Sequence, residues 1–170
     1  LRKIGQGTAS DATLKLTPPQ EKMHEIIDLY NQGQLEKVLQ KAEETIRDFT
    51  PNLILFSLIA AAHAGLNNFD QAIQNFKKIL VIDPQNAVTH YNIGNIYKEK
   101  EDYDAEIESY KKALLIQPNH FLSYNNMGNS FRAKGNLTAA IERFRQALNI
   151  NPDFAEAHYN LGIALLETDD

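Results

Sequence analysis

The sequence of 170 residues predicts an all-α protein built from a repeated pair of helices. The first observation is self-similarity, because like residues recur every 34 positions. The second is that apolar residues within each period follow helical spacing, and the third is that a proline closes the period. The recurring sets are Gly94, Gly128 and Gly162; Pro84, Pro118 and Pro152; Asn92, Asn126 and Asn160; Phe76, Tyr110 and Phe144; Tyr97 and Phe131; and Ala113 and Ala147. One supersecondary unit is therefore repeated along the chain.

A single period, from His90 to Ile116, divides into two helices. Glu101 and Asp102 interrupt the apolar pattern in the middle, and Pro118 follows the end of the second helix. The first apolar stripe is Tyr91, Ile93, Gly94 and Tyr97, and the second is Ile107, Tyr110, Ala113 and Leu114. Because Gly94 and Ala113 are small, we expect the two helices to pack closely.

The predicted units follow one another along nearly the whole chain. A leader at 1–17 precedes a repeat domain at 18–170, with repeats at about 18–52, 53–86, 87–120 and 121–154 and a partial unit at 155–170. The first unit is degenerate, since Pro51 lies one residue out of register. In the third unit Glu106 stands where the neighbouring units have Ala72 and Ala140. We expect either a slight rotation of that helix or a carboxylate that reaches solvent.

The segment Tyr91–Tyr97 (YNIGNIY), followed by Ala113 and Pro118, resembles the tetratricopeptide repeat, whose period is 34 residues. The repeats also resemble those of O-linked N-acetylglucosamine transferase and of bacterial transferases that contain such repeats. The resemblance implies a right-handed superhelical solenoid of about four helix-turn-helix repeats plus a final unpaired helix. It also implies that the first helix of each unit lines a concave groove.

Asparagines recur on the helix face that the resemblance places in the groove. Asn92, Asn126 and Asn160 lie one per first helix, and Asn95 and Asn129 lie three residues further along the same face. A carboxamide has one acceptor and two donors, so it can pair with the C=O and the N–H of a peptide together. We predict an asparagine ladder that binds an extended chain by its backbone. The alternative is that these asparagines only satisfy local backbone groups.

Five flanking residues complete the predicted peptide site. Tyrosines provide amphipathic contact area at low entropic cost, and basic side chains can pair with acidic residues of a ligand. The alternative for the two basic residues is ordinary solvation. The flanking residues are Tyr91, Asn125, Tyr159, Lys98 and Arg132.

Some tetratricopeptide domains grip a chaperone's terminal carboxylate through lysine, asparagine and arginine on the first helices. The unit at 53–86 lacks that clamp, because its groove positions are uncharged. These positions are Ser57, Leu58, Ala61 and Ala64.

Composition excludes several other classes of function. The net charge of −5 argues against a protein that coats nucleic acid or an anionic membrane, and no apolar run reaches the roughly 20 residues that a spanning helix needs. The absence of cysteine excludes disulfides and thiol catalysis and fits a cytoplasmic location. The five histidines share no ligand spacing, and no serine–histidine–acid set is visible. We therefore predict no catalytic residue, no metal and no cofactor.

These observations predict a non-catalytic module that binds a protein or peptide segment, with no nucleic-acid partner and no membrane insertion. One alternative is the N-terminal recognition domain of a larger glycosyltransferase or sulfotransferase, since Pro18-Pro19-Gln20 resembles the start of such domains. Another is a self-assembling scaffold. Its N-terminal tail would bind in a groove, or its uncapped C-terminal helix would pack on another molecule.

Overall fold

The computed structural model describes residues 16–168, and these residues form nine α-helices and no strand. The helices are α1 (Gln20–Asn31), α2 (Leu35–Asp48), α3 (Leu53–Gly65), α4 (Phe69–Ile82), α5 (Ala87–Glu99), α6 (Tyr103–Ile116), α7 (Phe121–Ala133), α8 (Leu137–Ile150) and α9 (Ala155–Leu166). Within this described part of the chain, no helix is long and apolar enough to cross a membrane.

The helices stack in chain order. The pairs α3–α4, α5–α6 and α7–α8 pack most extensively, each pair packs on the next, and α9 covers the end of α7–α8. Contacts of this kind, between helices that are adjacent or next but one in the chain, define a solenoid. The predicted all-α solenoid of about four helix pairs plus a final unpaired helix is confirmed.

The turn inside each pair contains one residue with a left-handed backbone. These residues are Gly33, Asn67, Glu101 and Gly135, with φ values of 70°, 59°, 56° and 75°. The next residue donates its N–H to a carbonyl five positions back, at 2.8–3.0 Å, as in a Schellman C-cap. The 34-residue period therefore fixes the turn geometry as well as the helices.

Glycine allows close approach of the two helices in the third and fourth pairs. A Cβ added at Gly94 would lie 2.5 Å from a ring carbon of Tyr110, and one at Gly128 would lie 2.5 Å from a ring carbon of Phe144. Both rings are fully buried. The close packing predicted for α5 and α6 is present, and it has no room for a methyl group.

The degenerate first pair packs less extensively and adds charged contacts between its helices. Lys41 Nζ lies 3.1 Å from Glu25 Oε1, and Lys22 Nζ lies 3.7 Å from Asp48 Oδ2. Ahead of this pair, the Leu16 carbonyl accepts a hydrogen bond from Thr50 N at 3.0 Å. The predicted docking of the N-terminal tail in a groove concerns residues 1–17, of which only 16 and 17 lie in the described part of the chain.

Candidate functional site

An apolar cavity of about 370 Å³ opens where the first helices α1, α3 and α5 meet. Most of its wall comes from one face of α3, and Asn92 of α5 adds a carboxamide. We call it the α3 cavity; its lining residues are Tyr30, Leu53, Ile54, Ser57, Leu58, Ala61, Phe76 and Asn92. The absence of charge at these α3 positions, expected from the sequence, leaves the wall of the cavity mostly apolar.

An exposed apolar residue lies in the first turn of two successive first helices. Ile54 in α3 and Val88 in α5 are each 57% exposed, whereas Leu122, at the same place in α7, is half-buried. The sequence analysis did not identify this row, although its 34-residue spacing was a sufficient signal. Exposed branched side chains at the repeat spacing provide the apolar contacts that a peptide needs.

Asn95 and Asn126 bond to neighbouring helices. Tyr110 Oη donates to Asn95 Oδ1 at 2.8 Å, and Asn126 Nδ2 donates to the same oxygen at 3.3 Å. Asn126 Nδ2 also lies 3.3 Å from Tyr110 Oη and 3.4 Å from Tyr91 Oη. Burial and the charge of Glu106 raise the pKa of Tyr110, so its hydroxyl remains a donor. This polar network joins α5, α6 and α7.

Asn125 and Asn160 lie inside the junction between α7 and α9, at 0% and 6% exposure. Asn160 Nδ2 donates to Asn125 Oδ1 at 3.1 Å, and Asn125 Nδ2 donates to Glu156 Oε1 at 2.9 Å. These bonds occupy the carboxamides of one predicted ladder residue, Asn160, and one predicted flanking residue, Asn125.

The remaining predicted residues differ in their exposure. Tyr159 is 69% exposed, and Lys98 is exposed beside Asn129. Asn129 Oδ1 and Arg132 Nη1 are buried and have no hydrogen-bond partner among the described residues. Tyr91 is different, because its ring packs edge-to-face against His120 with ring centroids 4.8 Å apart. Of the remaining residues, Lys98 and Tyr159 are therefore exposed, and Asn92, Asn129 and Arg132 are half-buried.

Glu106 corrects an expectation from the sequence. Its side chain is 1% exposed, so it neither reaches solvent nor is carried outward by rotation of α6. It occupies the buried alanine position because a cavity of about 240 Å³ beside it provides space. We call this the Glu106 cavity; it is lined by Lys98, Glu101, Tyr103, Glu106, Asn129, Ser130 and Ala133. Burial raises the pKa of Glu106, and Ser130 and Lys98 oppose that shift.

Four of the five histidines are partly buried or bonded to the backbone. Burial lowers the pKa of His63, His90 and His120. His158 Nε2 lies 2.7 Å from the carbonyl oxygen of Pro152. His90, two repeats earlier, makes the equivalent hydrogen bond to the backbone of Pro84. Within residues 16–168 no three histidine, aspartate or glutamate side chains come together as metal ligands would.

Solved structures share this fold at low sequence identity. MamA from Desulfovibrio magneticus RS-1 is 19% identical with a TM-score of 0.79, over 89% of this chain and 85% of that one. The first TPR of Spaghetti (RPAP3), bound to the HSP90 peptide SRMEEVD, is 18% identical with a TM-score of 0.66, over 69% and 94%. Cut9 in the APC/C hetero-tetramer Cut9–Hcn1 is 19% identical with a TM-score of 0.73, over 85% and 29%. No curated protein sequence matches the chain.

Sequence profiles of one repeat family match most of the solenoid. A profile described as TPR repeat matches residues 62–101 and 128–169, and one described as tetratricopeptide repeat matches residues 87–120. Together they cover more than half of the sequence, in the helix pairs whose geometry is given above. The chain belongs to the tetratricopeptide repeat family.

Proposed function

We propose that this chain is a non-catalytic interaction module that holds an extended peptide segment along the face formed by its first helices. The observation that carries the proposal is the α3 cavity together with Ile54 and Val88. These two exposed apolar side chains lie one repeat apart. A bound segment would place one apolar side chain in the cavity and a second against Val88.

The polar contacts of the proposed complex are fewer than a complete asparagine ladder would supply. Asn92 lines the α3 cavity, so its carboxamide would bind the peptide backbone, and the unpaired Oδ1 of Asn129 would accept a hydrogen bond from a side chain of the peptide. Asn95, Asn126, Asn125 and Asn160 would hold the helices in register. This division keeps the predicted backbone recognition and assigns it to fewer residues.

We propose that the segment of the ligand that contacts α3 carries apolar side chains. In the RPAP3 structure the ligand is a peptide of HSP90 that ends in acidic residues. The α3 face here presents Ser57, Leu58 and Ala61 instead of positive charge. We therefore propose the same kind of ligand, an extended peptide, with a different chemical preference. The transferase and self-assembly alternatives stay predictions.

The proposal is tested by selecting a phage-displayed random peptide library on the immobilised chain. Synthetic copies of the enriched peptides are then titrated against variants by fluorescence anisotropy. Ile54→Glu and Val88→Glu each place a charge in an apolar contact and should raise the Kd about tenfold or more. Asn92→Ala should raise it by a smaller factor, because it removes one hydrogen-bonding group.

Matched controls are available on the second helices. Val81 in α4 and Leu115 in α6 are 83% and 85% exposed. Val81→Glu and Leu115→Glu change charge and apolar area in the same way and should leave the Kd unchanged. Equal weakening by both pairs of variants, or failure of any peptide to enrich, would contradict the proposal.

A further inference from the structure

We propose that the Glu106 cavity is a binding site for a cationic side chain, a lysine or arginine of the bound segment. This inference rests on the proposed function for its ligand and adds a chemical preference to it. The cavity lies between the α5–α6 pair and α7, and Lys98 and Asn129 of the first helices form part of its wall. A side chain of a peptide on those helices can therefore enter it.

The cavity contains two hydrogen-bond acceptors without donors. Glu106 Oε2 and Asn129 Oδ1 are both shielded from solvent, and neither has a partner among the residues described. Glu106 as a whole residue is only 1% exposed. Buried acceptors left unpaired are costly, and a carboxylate more than an amide. A ligand that donates to both would remove that cost.

A cation fits these acceptors better than a neutral donor. A guanidinium or ammonium group donates several hydrogen bonds and balances the buried negative charge. Lys98 lines the same cavity and its charge favours the ionised carboxylate, but its ammonium makes no hydrogen bond to Glu106 Oε2. Glu101 at the turn adds a second negative charge at the wall. The charged and titratable groups around Glu106 are Lys98, Glu101, Tyr103 and Tyr110.

The neighbouring repeats show that the carboxylate is dispensable for packing. Ala72 and Ala140 hold the equivalent position and are fully buried. The solenoid therefore accommodates alanine there without a polar group. Packing alone therefore does not explain why this repeat has a glutamate, whereas binding of a cationic ligand does.

The test is a titration of the ¹⁵N-labelled chain with n-butylguanidinium chloride, followed by NMR. We expect saturable shifts of the Asn129 side-chain amide and the Ser130 backbone amide, with a Kd of about 1 mM, typical of a small fragment. n-Butylurea, a neutral analogue, and butyrate, an anion, should give no saturable shift. Binding should tighten as the pH rises through the folded-state pKa of Glu106, because the cation requires the ionised carboxylate.

Variants separate the cavity from general charge attraction. Glu106→Ala should abolish the guanidinium shifts while the remaining spectrum shows a folded chain. Glu108→Gln removes a negative charge from the same helix outside the cavity and should leave the Kd unchanged. Equal responses to guanidinium and urea, or retained binding in Glu106→Ala, would overturn the inference.

The outcomes also separate this inference from the proposed function. Peptides that enrich on the chain without lysine or arginine, together with no guanidinium binding, overturn the cavity inference alone. Guanidinium binding without any enriched peptide supports the cavity as a cation site and contradicts the peptide-binding function.

Discussion

Gly94 is a residue at which one added carbon decides whether two helices can meet. Gly94→Ala would place a Cβ 2.5 Å from the buried Tyr110 ring, so that either the ring or the helix must move. We expect a loss of about 1–3 kcal/mol in the free energy of unfolding, reduced by the better helix propensity of alanine. Urea denaturation followed by circular dichroism measures it.

Gly162 is the matched control for this substitution. It lies at the equivalent position in α9, and a Cβ there would meet nothing within 4 Å among the described atoms. Gly162→Ala should therefore leave the stability unchanged or raise it by up to about 1 kcal/mol. Equal destabilisation by both substitutions would contradict the packing explanation.

Glu106 makes the stability of the chain depend on pH. Burial raises its pKa in the folded state above the ordinary value of 4.5, so the folded chain favours the protonated carboxyl. Its favourable contribution is complete below that ordinary value and is lost as the pH rises through the folded-state pKa. Glu106→Gln should raise the free energy of unfolding at neutral pH, and the gain should vanish at acidic pH. A gain independent of pH in thermal unfolding would contradict this account.

At the scale of the helix pair, every turn has one residue with a left-handed backbone, but the type of that residue differs between pairs. Glu101 adopts φ of 56°, where Gly33 and Gly135 stand in the first and fourth pairs. A left-handed backbone costs a non-glycine residue about 1–2 kcal/mol. Replacing that residue by glycine removes this cost, but the greater entropy of glycine in the unfolded state cancels part of the gain. Glu101→Gly should stabilise the chain by about 0.5–1 kcal/mol. Gly135→Glu should destabilise the chain in the same denaturation assay. A loss of stability in Glu101→Gly, or a gain in Gly135→Glu, would refute the strain.

The junction of α7 and α9 depends on a buried amide pair. Asn125→Ala leaves Asn160 Nδ2 and Glu156 without their partner, and we expect a cost of about 1–3 kcal/mol. Asn92 is the control, since it lines the open α3 cavity. Asn92→Ala should change the free energy of unfolding by less than about 0.5 kcal/mol. Comparable costs for both would show that Asn92 is also structural.

Sequence periodicity predicted the helix pairs and their turns because those depend on residues within one period. It did not predict the partners of Asn125 and Asn126, which lie about one repeat away along the chain. Those pairings depend on how the superhelix brings unlike residues of successive repeats together. Glu106 was mispredicted for the same reason, since the space that holds it is created between α6 and α7. Ile54 and Val88 could have been identified from their spacing alone.

At the scale of the whole molecule, the helix pairs form one continuous stack. Four apolar clusters follow one another along the described solenoid, and each is shared by adjacent helices. Such a stack transmits register from one repeat to the next, so Ile54, Asn92 and Asn129 keep a fixed spacing. A rigid row of this kind suits an extended ligand, because the protein loses little conformational entropy on binding.

The most direct test of this account is to locate a bound peptide on the molecule. A peptide enriched by phage selection would carry a nitroxide spin label, and paramagnetic broadening of the ¹⁵N-labelled chain would be measured. The account predicts strong broadening at Ile54, Val88 and Asn92 and none at Val81 and Leu115. Broadening centred on Val81 and Leu115 would place the ligand on the second helices and contradict the proposed groove.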